Sequence, residues 1–163
     1  MSSISDLRRI LGTSRTLAVV GLSPQWHRPS FFAAKYMQAH GYRIVPVNPM
    51  AQEILGERCF PSVSAAAEAL AAQGQAIDMV DCFRRREDIP PIAQEAIAIG
   101  ARCLWMQLGV VNEAAAQQAR AAGLDVVMDR CVKIEHARLF GGLNWAGVNT
   151  RVISARRPQQ LPY

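Results

Sequence analysis

The chain alternates between short β-branched apolar runs and longer alanine-rich stretches of helical period. "TLAVVGL" (16–22) has the composition of a buried strand and stops at a glycine. "SFFAAKYMQAHG" (30–41) follows as a helix that opens behind Pro29 and closes at Gly41. "YRIVPVNP" (42–49) is a second strand, in which Pro46 is at odds with a central position. After a short turn unit, "EILGERCFPSV", come a helix "SAAAEALAAQG" (64–74) and a third main strand "AIDMVDCF" (76–83). "EDIPPIAQEAIAIG" (87–100) predicts a helix with acidic residues and prolines at its amino end. "ARCLWMQLG" (101–109) is a fourth strand, "NEAAAQQARAAG" (112–123) a helix and "LDVVMD" (124–129) a fifth strand. "CVKIEHARLF" (131–140) reads as a helix ending at Gly141–Gly142, and "SISDLRRILG" (3–12) as a short N-terminal helix.

Strands alternating with helices imply right-handed crossovers, hence an α/β fold. The expected architecture is Rossmann-like and doubly wound: a mainly parallel five-stranded sheet with helices on both faces. No linker, repeat or low-complexity segment interrupts the series, so residues 1–163 read as a single domain with a C-terminal tail over about 150–163. Ligands of such sheets bind beyond the carboxyl ends of the strands, near the switch point of strand order. Those ends are Gly21–Ser23, Asn48–Pro49, Phe83–Arg84, Gln107–Gly109 and Asp129–Arg130.

Composition narrows the setting. Half of the 163 residues are hydrophobic and 19% are charged, ordinary values for a globular chain. No apolar run approaches the roughly 18 to 20 residues of a membrane span, and "MSSISDLRRI" lacks the apolar core of a secretory signal. The expectation is therefore a cytoplasmic protein with no membrane association. The four cysteines lie far apart, without a CxxC pair or a histidine at ligand spacing, which argues against a metal site and a disulfide framework. The formal charge of +5 favours an anionic partner. Basic residues cluster only at "RRR" (84–86) and "ARRP" (155–158), with no aromatic-interleaved stripe, which suits a small phosphorylated ligand better than nucleic acid.

The turn in "VVGLSPQWHRPSFFAAKYM" (19–37) carries the candidate chemistry. A dinucleotide fingerprint would place glycines where Ser23 and Trp26 stand. It would also place an acid at the end of the second strand, yet "VPVNPM" has none before Glu53. An NAD(P)-dependent oxidoreductase on the same fold is thus the alternative reading. Neither a phosphate-binding GxxxxGK[ST] nor a GxSxG nucleophile motif occurs. What is left is a binding loop. Gly21 permits a tight turn, Ser23 offers a hydroxyl beside Pro24, Arg28 presents a planar donor fork, and Ser30 opens a helix whose amino end attracts anions. The plainer alternatives are a solvated Arg28 and a Ser30 that only caps the helix.

These segments together carry a resemblance. "VVGLS" followed by "RPS", then "YRIVPVNP", "GERCFPSV", "IDMVDCFRR", "LWMQLGV" and "VVMDRCVKIEH", in this order and spacing, resemble the small stand-alone CoA-binding proteins. These are relatives of the nucleotide-binding domain in the α subunit of succinyl-CoA synthetase and in ADP-forming acyl-CoA synthetases. The resemblance implies coenzyme A or an acyl-CoA bound across the carboxyl edge. Gly21, Ser23 and the run Arg28, Pro29, Ser30 would face the phosphates of its ADP part. Asn48 and Pro49 would border the adenosine, and Phe83 and Arg84 would flank the ligand. Trp105, Gln107 and Gly109 would line the edge toward the pantetheine arm, with Trp105 alternatively a core residue. The missing ribose-reading acid agrees with this, because the 3′-phosphate of CoA would be repelled by a carboxylate.

No catalytic residue is implied. Succinyl-CoA synthetase uses a phosphorylated histidine in a second domain and a separate nucleotide-grasp subunit, and neither is encoded in these 163 residues. His27 reads as a loop residue, His40 as a helix-surface residue, and His136 as a neighbour of Lys133 on its helix. Cys131 has two readings. Beside Arg130 at a helix amino terminus its thiol would be acidified and able to pair with the CoA thiol; otherwise it is a small buried residue. A protein partner or a homodimer is left open.

Overall fold

The computed structural model describes residues 2–141, and the expected tail and the "ARRP" cluster lie outside that range. In chain order the elements are α1 (Ile4–Thr13), β1 (Thr16–Val20), α2 (Pro29–Ala39), β2 (Arg43–Val47), β3 (Glu53–Ile54), β4 (Glu57–Arg58), α3 (Val63–Ala71), β5 (Met79–Cys82), α4 (Ile89–Ala98), β6 (Cys103–Met106), α5 (Glu113–Ala121), β7 (Asp125–Val127) and α6 (Val132–Phe140). The turn unit of the sequence reading is a small antiparallel hairpin, β3–β4. Acidic residues 87 and 88 lie in a single 3₁₀ turn ahead of α4 rather than in the helix itself.

The main sheet has five strands in the order β2-β1-β5-β6-β7. All of its pairs are parallel. The order reverses between β1 and β5, which makes the carboxyl ends of β1, β2 and β5 the place for a ligand. Pro46 is accommodated because β2 is an edge strand. Its carbonyl accepts from the Phe60 amide at 3.0 Å, away from β1, so the missing N–H costs no bond of the ladder.

Side-chain alternation sorts the strands into two cores. Leu17, Val19, Ile44, Met79, Trp105 and Val127 face α1, α2 and α6. Ala18, Val20, Val45, Val80, Leu104 and Met106 face α3, α4 and α5. Because both faces are covered, every main strand reads as an apolar run in the sequence rather than as an alternation. The first helix is set by a capping box between Ser3 and Asp6 and is pinned to β7 by a two-pronged Arg9–Asp125 pair, both bonds 2.8 Å.

Candidate ligand-binding site

The carboxyl edge is shaped first by Gly21. Its φ is +81°, and a Cβ there would run into the Phe83 carbonyl and the Arg84 side chain. Only glycine lets the chain leaving β1 pass so close to the chain leaving β5. The loop that follows is held by its own serines. The Ser23 amide donates to Ser30 Oγ at 3.0 Å, and Ser23 Oγ accepts from the Gln25 amide at 3.1 Å. Ser30 is therefore buried and holds the loop, while Arg28 is the N-cap residue of α2. Arg28 makes no side-chain cap bond; its Nε donates to Gln25 Oε1 at 3.2 Å, and the guanidinium is exposed. Pro29 opens α2 as its first residue, and Pro24 is exposed in the loop.

Asn48 ties this loop to the end of β2. Its Nδ2 donates to the Leu22 carbonyl at 2.9 Å and its Oδ1 accepts from the Met50 amide at 2.8 Å. Between these two loops, the amino end of α3 and the first turns of α4 lies a crevice of about 500 Å³. Gly21, Ser23, Asn48, Pro49 and Arg84 line it, joined by Met50, Ser62 and three acids that sequence reasoning missed: Glu87, Asp88 and Glu95.

Charge is distributed unevenly around this crevice. Glu95 accepts from the Ser64 amide at 3.1 Å and from Ser64 Oγ at 2.9 Å, so a carboxylate already occupies the amino end of α3. The amino end of α2 has no acid in its first turn and is preceded by Arg28. Arg84 is shared with Asp88 at 3.4 Å, and Arg85 also pairs with Asp88, at 3.2 Å.

The remaining predicted residues lie elsewhere. Trp105 is fully buried, its Nε1 donating to the Arg130 carbonyl at 2.7 Å, and has no surface to offer a ligand. Gln107 is buried too. Its Nε2 donates to Asp81 Oδ1 at 2.5 Å, and its Oε1 accepts from the Val132 amide at the start of α6. Phe83 is half-buried against the α1/α2/α6 core. Gly109 is exposed with φ +78°, its amide donating to Asp129 Oδ1 at 2.7 Å.

Asp81 is a group the sequence reading passed over. Burial in the sheet pushes its carboxyl up to about 7, against the Gln107 hydrogen bond, which favours the charged form. The sequence signal was an acid inside the apolar run "MVDCF", which must find a partner when both faces of the strand are covered. Cys131 does not behave as an acidified thiol. Burial raises it, outweighing the amides of Ile134 and Lys133, and the neighbouring Arg130 turns instead to Glu135 at 3.2 Å. His27 lies in the loop, edge-on to Trp26. His40 and His136 meet each other and Tyr36 away from this edge. Among the described residues no three His, Cys, Asp or Glu side chains converge on a metal position, and no helix is long and apolar enough to cross a membrane.

Comparison with known proteins places this geometry among relatives. The family described as "CoA binding domain" matches residues 15–137. The uncharacterized protein YneT of Bacillus subtilis (strain 168) is 40% identical over 135 residues, which is 83% of this chain and 95% of that protein. A solved structure of a hypothetical protein from Pyrococcus horikoshii OT3 is 36% identical with a TM-score of 0.78, covering 86% of this chain and 94% of the other. A structure from Thermus thermophilus is 31% identical with a TM-score of 0.75, covering 85% of this chain and all 100% of the other.

Proposed function

This chain belongs to the CoA-binding domain family, and from that premise we propose that it binds coenzyme A or an acyl-CoA across the carboxyl edge of its sheet without a catalytic centre of its own. One contrast carries the reading: the amino end of α3 at the crevice is closed by Glu95, whereas that of α2, outside the crevice lining but tied to Ser23 through Ser30 Oγ, carries Arg28 and no acid. The phosphates would lie over α2, beside Ser23 and Arg28, where amide dipoles and a guanidinium favour them. Asn48 and Pro49 would border the adenosine, with Met50, 91% exposed, free to cover a flat base. Arg84 would turn from Asp88 to a ligand phosphate.

The donor set fits such an anion. A nicotinamide dinucleotide would seek a carboxylate at the end of β2, where Asn48 stands with both ends of its amide engaged. The absence of a catalytic role is in keeping with two groups that do not line the crevice: the Cys131 thiol, pushed up by burial, and the buried Asp81 carboxyl, held by Gln107. A cytoplasmic setting belongs to this reading, in keeping with free thiols at all four cysteines.

Calorimetric titration of the protein with CoA, NAD and NADP tests it. The expected result is saturable heat with CoA at micromolar affinity, weakened about tenfold in Arg28→Ala, since one charge-assisted contact is worth about that factor. Saturable heat with NAD or NADP and none with CoA would overturn it.

A further inference from the structure

At the opposite edge of the sheet, where the chain enters β1 and β2, lies a second cavity of about 440 Å³, within the range of small-molecule sites. We propose that this cavity is a separate binding site for a small planar anion, of the class of an aromatic carboxylate. It is built from the end of α1, the residue ahead of β1, the turn from α2 into β2, and α6.

The donors of its walls argue for an anion. Arg15 brings a positive charge, His40 and His136 bring ring nitrogens, and among the described residues no carboxylate lines it. Lys133, on the same helix as His136, has its Nζ 5.9 Å from the Tyr36 ring centroid. Asp78, the acid bound to the Arg15 backbone, is already engaged: its Oδ2 accepts from the amides of Arg15 and Thr16 at 2.8 and 3.0 Å. The Arg15 guanidinium gives one bond, from Nη1 to the Ser14 carbonyl at 2.9 Å, and its other donors are unused among the described residues.

The shape argues for a flat, apolar body. The rings of Tyr42 and Phe140 flank His136 at centroid distances of 5.5 and 5.1 Å, and His40 meets it at 5.2 Å. Phe140 is 44% exposed, so aromatic surface is open to a guest. Its neighbour His136 is fixed rather than free to swing away, because Nδ1 shares a 3.1 Å hydrogen bond with the Tyr36 hydroxyl. With Tyr36 donating in that bond, the ring keeps its proton on the other nitrogen, a donor suited to a carboxylate.

Benzoate is the probe and benzyl alcohol its neutral counterpart, each titrated into the full chain and followed by amide and imidazole NMR signals. Saturable benzoate shifts at Gly12, Gly41 and the imidazoles of His40 and His136 are expected, with a dissociation constant of about 1 to 10 mM. Benzyl alcohol should bind at least about tenfold more weakly, and Arg15→Gln should weaken benzoate by a similar factor without moving the melting temperature. The proposal fails if benzoate does not saturate, if the alcohol binds equally well, if Arg15→Gln binds benzoate as the wild type does, or if the shifts fall on Gly21 and Ser23 instead.

Discussion

Replacing Asp81 by asparagine should make the protein more stable, and the gain should depend on pH. In the folded chain the carboxyl is 1% exposed and is raised from 3.8 to about 7, with burial as the main cause. At about 1.4 kcal/mol for each pH unit, that rise means that charging Asp81 costs the folded state about 4 kcal/mol. Relaxation around the charge lowers the realised cost, so about 2 kcal/mol or more is expected in experiment. The sign follows from linkage. Between pH 3.8 and about 7 the folded state holds a proton that the unfolded state has lost. The contribution of Asp81 is therefore fully present below pH 3.8 and is lost as pH rises through about 7, beyond which the penalty is constant. Asparagine keeps the shape and an oxygen to accept from Gln107 Nε2, and it does not titrate. Urea unfolding of both proteins at about pH 4.5, 7 and 8.5 should show the advantage of Asp81→Asn growing with pH and then levelling off. An advantage equal at all three pH values, or a loss at the highest, would refute the reasoning.

The other predictions concern the carboxyl edge. Gly21→Ala should cost about 2 to 4 kcal/mol in denaturant unfolding, since it adds a positive-φ penalty to a collision with the Phe83 carbonyl; an alanine variant of wild-type stability would contradict the close approach. Glu95→Gln removes the carboxylate from the amino end of α3, and should cost about 1 kcal/mol in urea unfolding while strengthening CoA binding by calorimetry. Weaker CoA binding in that variant would mean that Glu95 holds the ligand rather than repels it. Trp105→Phe should lose about 1 to 3 kcal/mol through the broken bond to the Arg130 carbonyl and the volume removed. Its CoA affinity should stay within about twofold of wild type, as befits a core residue.

Much of the architecture was legible because doubly covered strands leave continuous apolar runs, and because glycines mark where the helices and the first strand end. The row of strand ends could be read directly, and Gly21, Ser23, Asn48, Pro49 and Arg84 do line the crevice. The opposite wall could not be read. Ser62 and Glu95 reach the crevice only through two crossovers, and the Ser64–Glu95 contact spans 31 positions of sequence. In a strand buried on both sides, sequence does not tell whether a polar side chain faces a ligand or a neighbour, which is why Gln107 read as a ligand contact. Its partners, Asp81 and the Val132 amide, are 26 and 25 residues away. The cluster of Tyr36, His40 and His136 escaped for the same reason, since Tyr36 and His136 lie 100 positions apart.

The charge pattern at the crevice also bears on how a single ligand orientation is selected. The amino end of α3 opens on the crevice and that of α2 lies behind Ser23, and with both available an elongated anion could lie either way round. Glu95 removes one of them, and Glu87 and Asp88 extend that negative wall into the turn ahead of α4. In the reading proposed above, the pyrophosphate is thereby directed toward α2. Arg84, the cation that lines the crevice among the described residues, is 48% exposed and only loosely engaged by Asp88 at 3.4 Å. A pair of that exposure is worth less than about 1 kcal/mol. A ligand phosphate that offers Arg84 a two-pronged contact would outcompete Asp88 at little cost, whereas a ligand hydroxyl in the same place would not. In the reading proposed above, the ribose 3′-phosphate of CoA, a group that NAD lacks, would be the one that Arg84 meets.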